Sequence, residues 1–295
     1  MAKLTVIIPS RTERYLKNTI EDVLRNATGD IEVLPVLDGY DLPVEEINTD
    51  KRLRYLKMPQ TSELQKRQCV NRAVFESTGT HVMSLDAHCM VGPGFDEILL
   101  KDHQDDWVSI PRRNRLDAEN WCIQEQYGKP PIDYEYIMFP FRKGGDHGLG
   151  GYRWDDRTLA RWDIPIDDTM EFQGSCWLMT KDWFIKNKFF QDPGYTGWGQ
   201  EAEEIGLTTW LRGGRVVTNK NTWYAHLHKG GKYGRMYFMD KKDNHRCYEY
   251  SYKFWMNDRL TNRVHDFEWF INKFWPVPGW RADWKEKLRP TYEDA

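Results

Sequence analysis

Between positions 4 and 111 the apolar residues alternate between short continuous runs and stripes of helical spacing. Residues 4–9 (LTVIIP), 31–37 (IEVLPVL), 53–57, 81–85 (HVMSL) and 107–111 are short apolar or β-branched runs, the way strands buried on both faces read. Residues 14–25 place Leu16, Ile20, Val23 and Leu24 on one helical face. Residues 63–76 and 94–102 also read as helices, and Gly79 stands just past the first of these as a stop signal. Strand and helix in alternation predict an α/β fold, with a doubly wound, mainly parallel sheet, right-handed crossovers and helices on both faces. Such sheets bind ligands at the carboxyl ends of their strands, where the strand order reverses. Pro9-Ser10-Arg11, Asp38-Gly39 and Asp86-Ala87-His88 all fall at such ends.

After that the rhythm breaks. Residues 116–171 are rich in Gly, Pro, Asp and Trp, with GGDHG at 144–148 and Gly150-Gly151 close behind. They are expected to form functional loops rather than a separate domain. Regular patterns return as a strand over 172–180, helices over 181–188 and 201–212, and a strand over 222–226. The division expected is a main domain over 1–232 and a Trp-rich helical extension over 233–295 packed on it.

At 295 residues the chain is long enough for a sizeable core. Its 14 Trp, 15 Tyr and 13 Phe argue against disorder and exceed what such a core needs, so some are expected to line a cleft. A net charge of −3 excludes nucleic-acid binding driven by a global basic field. Local basic clusters remain at Arg112, Arg113 and Arg115, and from Lys229 to Lys242, though a solvated surface explains such runs more often than a binding site does. The five cysteines are odd in number and form no C-x-x-C pair, which points away from disulfides or a thiolate zinc site and toward a reducing cytoplasm. No apolar run approaches ~20 residues, so the expectation is a soluble protein without a membrane anchor.

Asp86 and His88 stand two apart on a segment read as extended, where positions i and i+2 share a face. A carboxylate and an imidazole so placed can share a divalent ion such as Mn²⁺, or simply cap a turn beside a surface histidine. A third ligand from a distant strand would complete a facial set, and His226, ending TWYAH, is the candidate; alternatively it is a satisfied core histidine. The segment from Lys229 to Arg235 (KGGKYGR) reads either as a loop that closes over a diphosphate or as an exposed turn.

These residues together resemble the GT-A glycosyltransferases of family 2, and most of all the catalytic domain of the polypeptide N-acetylgalactosaminyltransferases. Leu85-Asp86-Ala87-His88-Cys89 is similar to that family's metal-binding motif, and Trp198-Gly199-Gln200-Glu201, Glu204, Trp210 and Gly213-Gly214 match its spaced W-G-x-E-x-x-E, W, G-G pattern. Counting on, the family's third metal ligand falls at His226, and Lys229 stands where the family usually has Arg. The resemblance runs from Leu4 to Lys229. The chain departs from the pattern at Asp38-Gly39, where two acidic residues are usual, and at Gln173-Gly174, where Gly-Gly is usual.

The resemblance implies a GT-A fold and a metal-dependent hexosyltransferase that moves a sugar from UDP-HexNAc or UDP-hexose to an acceptor hydroxyl, with retention at the anomeric carbon as in the N-acetylgalactosaminyltransferases or inversion as in many other family 2 enzymes. It implies Mn²⁺ or another divalent cation on Asp86, His88 and His226. Pro9, Ser10, Arg11 and Asp38 would hold the uridine, while Lys229 and Tyr233 would hold the diphosphate. Glu201, with Glu204 one helical turn on, would serve the sugar or the acceptor hydroxyl, and Trp198 would form an apolar wall. The acceptor could be a protein, a glycan or a hydroxymethylated DNA base of the phage type. A metal-dependent nucleotide-sugar hydrolase and a non-catalytic nucleotide-binding module are the competing readings.

Overall fold

A computed structural model describes residues 3–125, 129–140 and 148–293. Residues 144–147 of the glycine-rich run lie outside the described residues. The elements begin with β1 (Leu4–Ser10), α1 (Leu16–Asn26), β2 (Ile31–Asp38), β3 (Leu56–Met58), α2 (Lys66–Glu76), β4 (His81–Leu85), β5 (Cys89–Val91), α3 (Phe95–Asp102) and β6 (Trp107–Asp117). Then come β7 (Cys122–Ile123), β8 (Glu135–Ile137), β9 (Gly151–Arg153), α4 (Asp155–Ala160), β10 (Ile166–Asp168), β11 (Cys176–Thr180) and α5 (Lys181–Asn187). The last third holds α6 (Glu201–Leu211), β12 (Arg215–His226), the short α7 (Gly230–Tyr233), α8 (Lys241–Met256), α9 (Phe267–Phe274) and α10 (Trp284–Glu293).

The main sheet runs in the order β10-β12-β6-β11-β4-β1-β2-β3. β3, β2, β1 and β4 are parallel, as are β6 and β12. The fold is therefore the mixed α/β kind with a mainly parallel sheet. β11 is the exception at its centre, antiparallel to both β4 and β6. Its apolar run CWLMT is fully buried, so it reads as a core strand, and such a pattern carries no direction. The order reverses between β1 and β4, whose carboxyl ends hold Ser10 and Asp86.

β1 and β2 are buried almost throughout because helices cover both faces of the sheet. α1 packs Leu16, Ile20, Val23 and Leu24 into the core, each fully buried side chain contributing about 1.5–3 kcal/mol. Two polar residues of α1 are also buried, for a reason that bears on the site. Thr19 Oγ1 accepts from the Cys89 amide at 3.1 Å and Asp22 Oδ1 from the Val91 amide at 2.8 Å, so α1 fixes β5.

The stretch 116–171 is more regular than its composition suggests. β6 continues to Asp117 because β12, after a register shift between Asn219 and Trp223, pairs with Arg112–Arg115. Four polar residues in a row hide that strand from a hydrophobicity reading. β8 and β9 form a small antiparallel sheet and β10 adds to the edge of β12. Phe267, Phe270, Ile271, Phe274, Trp280 and Trp284 belong to the same hydrophobic core as the sheet. Trp280 Nε1 donates to the Ile137 carbonyl at 2.7 Å, and Phe274 sits edge-on to Trp210 of α6.

Candidate metal and nucleotide site

Asp86-Ala87-His88 is a tight turn between β4 and β5, not an extended run. The turn is held by the Asp86 amide, which donates to the Ser175 carbonyl at 2.8 Å, and by the His88 carbonyl, which accepts from Leu227 N at 3.1 Å. β5 pairs antiparallel with β12, placing Cys89 opposite His226. Two segments distant in sequence thereby meet side by side. The Nε2 atoms of His88 and His226 lie 3.1 Å apart, and Asp86 Oδ2 lies 3.9 and 3.5 Å from them.

This donor set fits a divalent cation. Two imidazole nitrogens facing each other at hydrogen-bond distance must share one proton or one ion, and a carboxylate oxygen closes the triangle. Donors bound to a common ion at about 2.0–2.2 Å necessarily lie within a few ångströms of one another. Burial, reinforced by the charge of His88, holds His226 down at about 4, so its ring is neutral and its lone pair available near pH 7. Burial pushes the Asp86 carboxyl up, but Lys66 and the two histidines outweigh it and hold the group well below the usual carboxylate range.

Two charged residues that no motif marks support this triad. Lys66 opens α2 and donates to Asp86 Oδ1 at 2.8 Å and to the Gly174 carbonyl at 3.1 Å. Glu13 stands behind His88, with Oε2 3.4 Å from Nδ1, and accepts from Lys229 through both oxygens at 2.6 Å. Burial raises the Glu13 pKa, but His88 and Lys229 outweigh it and keep the group ionised. A carboxylate behind a metal-binding histidine fixes the ring so that the other nitrogen faces the ion. An acidic residue between elements and a basic one at the start of a helix carry no periodic signal, which is why Glu13 and Lys66 are invisible in the sequence.

The triad lies in a cleft of about 580 Å³ at the carboxyl edge of the sheet. Pro9, Ser10, Arg11 and Asp38 line it, as do Trp198, Glu201 and Lys229. Asp38 is engaged by its neighbours, accepting from Gln65 N at 3.1 Å and Gln65 Nε2 at 2.8 Å. The Arg11 guanidinium lies 3.5 Å from Asp38 and donates to the carbonyls of Thr61 and Glu63. Glu201 starts α6, is 6% exposed, and its Oε1 has no hydrogen-bond partner. Gly199 precedes it at φ +110°, and a Cβ there would lie 2.9 Å from the Tyr248 ring, so the Trp-Gly pair needs its glycine.

Two of the residues singled out in the sequence are not on the cleft. Glu204 turns into the core, pairs with the buried Arg67, and accepts from the Phe190 amide at 2.8 Å. Three residues on from Glu201 the helix has rotated far enough to aim the side chain at α2 instead. Tyr233 packs edge-on to Tyr15, with ring centroids 6.3 Å apart. The tyrosine of this loop that lines the cleft is Tyr237, whose hydroxyl is raised by burial and by the nearby Glu13 and Asp86.

Residues 5–186 match the family described as glycosyl transferase family 2. A putative polypeptide N-acetylgalactosaminyltransferase 13 of Drosophila melanogaster is 29% identical over 155 residues, covering 50% of this chain and 25% of that protein. A probable N-acetylgalactosaminyltransferase 8 of Caenorhabditis elegans is 26% identical over 156 residues, covering 51% of this chain and 34% of that protein. The chain thus matches only a minor part of the length of these relatives. A crystal structure of GalNAc-T7 with UDP, GalNAc and Mn²⁺ shares the fold with a TM-score of 0.66 at 15% identity, over 99% of this chain and 55% of that one.

Proposed function

Because the chain belongs to glycosyl transferase family 2, we propose that it transfers a sugar from a UDP-sugar to an acceptor hydroxyl, using a divalent cation held by Asp86, His88 and His226. The observation that carries this reading is the convergence of one carboxylate and two imidazoles in the cleft at the switch point of the sheet. The mixed oxygen and nitrogen donors suit Mn²⁺, and the similarly folded GalNAc-T7 was crystallised with UDP and Mn²⁺. When bound, the cation acts as a Lewis acid on the departing diphosphate.

The chain's own residues supply binding, orientation and proton transfer. Pro9, Ser10, Arg11 and Asp38 lie together at the ends of β1 and β2 and receive the nucleoside. Lys229 adds a charge-assisted bond to the diphosphate and Trp198 forms an apolar wall for the sugar. Glu201 faces the reacting groups with a free oxygen. The acceptor oxygen bonds to the anomeric carbon as the bond from that carbon to the diphosphate breaks. The electron pair leaves with UDP, and the acceptor proton passes to Glu201. Five free cysteines suit a reducing compartment, and no helix among the described residues is long and apolar enough to cross a membrane.

The test measures nucleotide released from UDP-N-acetylhexosamines and UDP-hexoses with Mn²⁺, with and without protein, glycan and hydroxymethylated DNA acceptors. A transferase releases UDP faster once its acceptor is present. Chelation, Asp86→Ala and His226→Ala each abolish that turnover while circular dichroism stays native. Release that no acceptor accelerates would make the chain a hydrolase. UDP binding without metal dependence or turnover would make it a binding module.

A further inference from the structure

The charges lining the cleft do not cancel. Arg11 faces Asp38, Lys66 faces Asp86 and Lys229 faces Glu13. Two further guanidinium groups, Arg115 and Arg235, line the same cleft, and neither has a carboxylate partner among the described residues. The carboxylate left without a cation is Glu201. A divalent ion matches the two negative charges of a UDP-sugar diphosphate, so with donor and metal in place the two arginines outnumber the one remaining carboxylate, Glu201, by one charge.

Their position separates them from the nucleoside end. Arg115 lies opposite His226 in the register of β6 and β12. In the strand order β6 and β12 stand on the far side of β4 from β1 and β2, where Ser10 and Asp38 lie. The Nε of Arg115 is buried without a partner. Burial, Arg153 and Arg113 all disfavour its charge and lower its pKa, so no local carboxylate compensates it. The same side chain also lines a second hollow of about 180 Å³, which carries Lys129 and Glu125. Arg235 lies over the Trp198 ring, 5.4 Å from its centroid, near the start of α6 and Glu201. A guanidinium paired with no acid, partly desolvated and flanked by like charge, recognises phosphate well because its fork matches two phosphate oxygens.

We propose that Arg115 and Arg235 form an anion subsite on the acceptor side of the cleft, so that the hydroxyl glycosylated belongs to a molecule bearing phosphate. This rests on the transferase reading above. The experiment is calorimetry on the full chain saturated with Mn²⁺ and UDP, titrated with inorganic phosphate and, separately, with the phosphodiester thymidylyl-thymidine. Binding of either probe is expected, weakened about tenfold or more in Arg115→Gln and in Arg235→Gln, with Arg115→Lys intermediate and UDP affinity changed less than about twofold. Preference for the dinucleotide assigns a phosphodiester acceptor, and preference for phosphate a monoester. Arg235 is exposed, so its variant keeps the test valid even if Arg115→Gln disturbs β6. Three results overturn the proposal: no probe binding while UDP binds, binding undiminished in both variants, or an equal loss of UDP affinity, which would assign the arginines to the donor. Failure of UDP itself to bind with Mn²⁺ would instead sink the transferase reading.

Discussion

Glu13 is the residue on which metal site and loop meet, because its two oxygens serve His88 on one side and Lys229 on the other. Glu13→Gln keeps the shape and removes the charge. Mn²⁺ affinity, measured without nucleotide, is expected to fall about 10–100-fold, the usual effect of losing such an orienting group. Unchanged Mn²⁺ affinity would show that Glu13 does not orient His88. Glu204 makes the opposite case. Its partner Arg67 is 3% exposed, so Glu204→Gln leaves a buried cation without its counter-charge, at a cost of about 3–5 kcal/mol. Denaturant unfolding reads that loss directly. Native stability combined with lost turnover would return Glu204 to a role in the reaction.

Among the elements, the segment from α7 to Tyr237 is the one placed to move. A Cβ built on Gly230, Gly231 or Gly234 would meet nothing within 4 Å, so little packs against it, while Lys229 at its start is tied to Glu13. Gly230 and Gly234 also have positive φ, which other residues adopt only with strain. Trypsin is therefore expected to cut after Lys232 or Arg235 in the free protein, and Mn²⁺ with UDP to slow that cut several-fold if the loop closes over the diphosphate. Cleavage at the same rate with saturating UDP and Mn²⁺ would rule out closure. The neighbouring α6 is the rigid counterpart, buried along its whole length, which is what a platform for Glu201 requires.

At the scale of the whole molecule, the C-terminal helices are part of the core rather than an appendage. Trp210 of α6 is covered by Trp269, Phe274 and Lys273 of α9. Truncation before α9 would expose that face and leave the Trp280 bond to Ile137 unmade. Loss of cooperative unfolding, or aggregation on expression, is the expected outcome for a chain ending at residue 262. A truncated protein that unfolds in one sharp transition near the native midpoint would show the extension to be dispensable.

Several features were legible in the one-dimensional pattern because each rests on local chemistry. Buried parallel strands are continuously apolar, so β1, β2 and β4 announced themselves, and the D-A-H turn and the W-G-Q-E run stood out as motifs at their ends. β12 was legible only at its last five residues. Nothing local says which way a side chain faces once the chain has folded. Glu201 and Glu204 lie on one helix, yet rotation of the backbone sends one to the cleft and the other to Arg67. Arg115 sits in a run of charge that reads as a solvated surface, and becomes a strand residue because β12 pairs with it. Glu13, Lys66 and Tyr237 reach the site from three separate segments, and contacts between residues so far apart in the chain exist only in three dimensions.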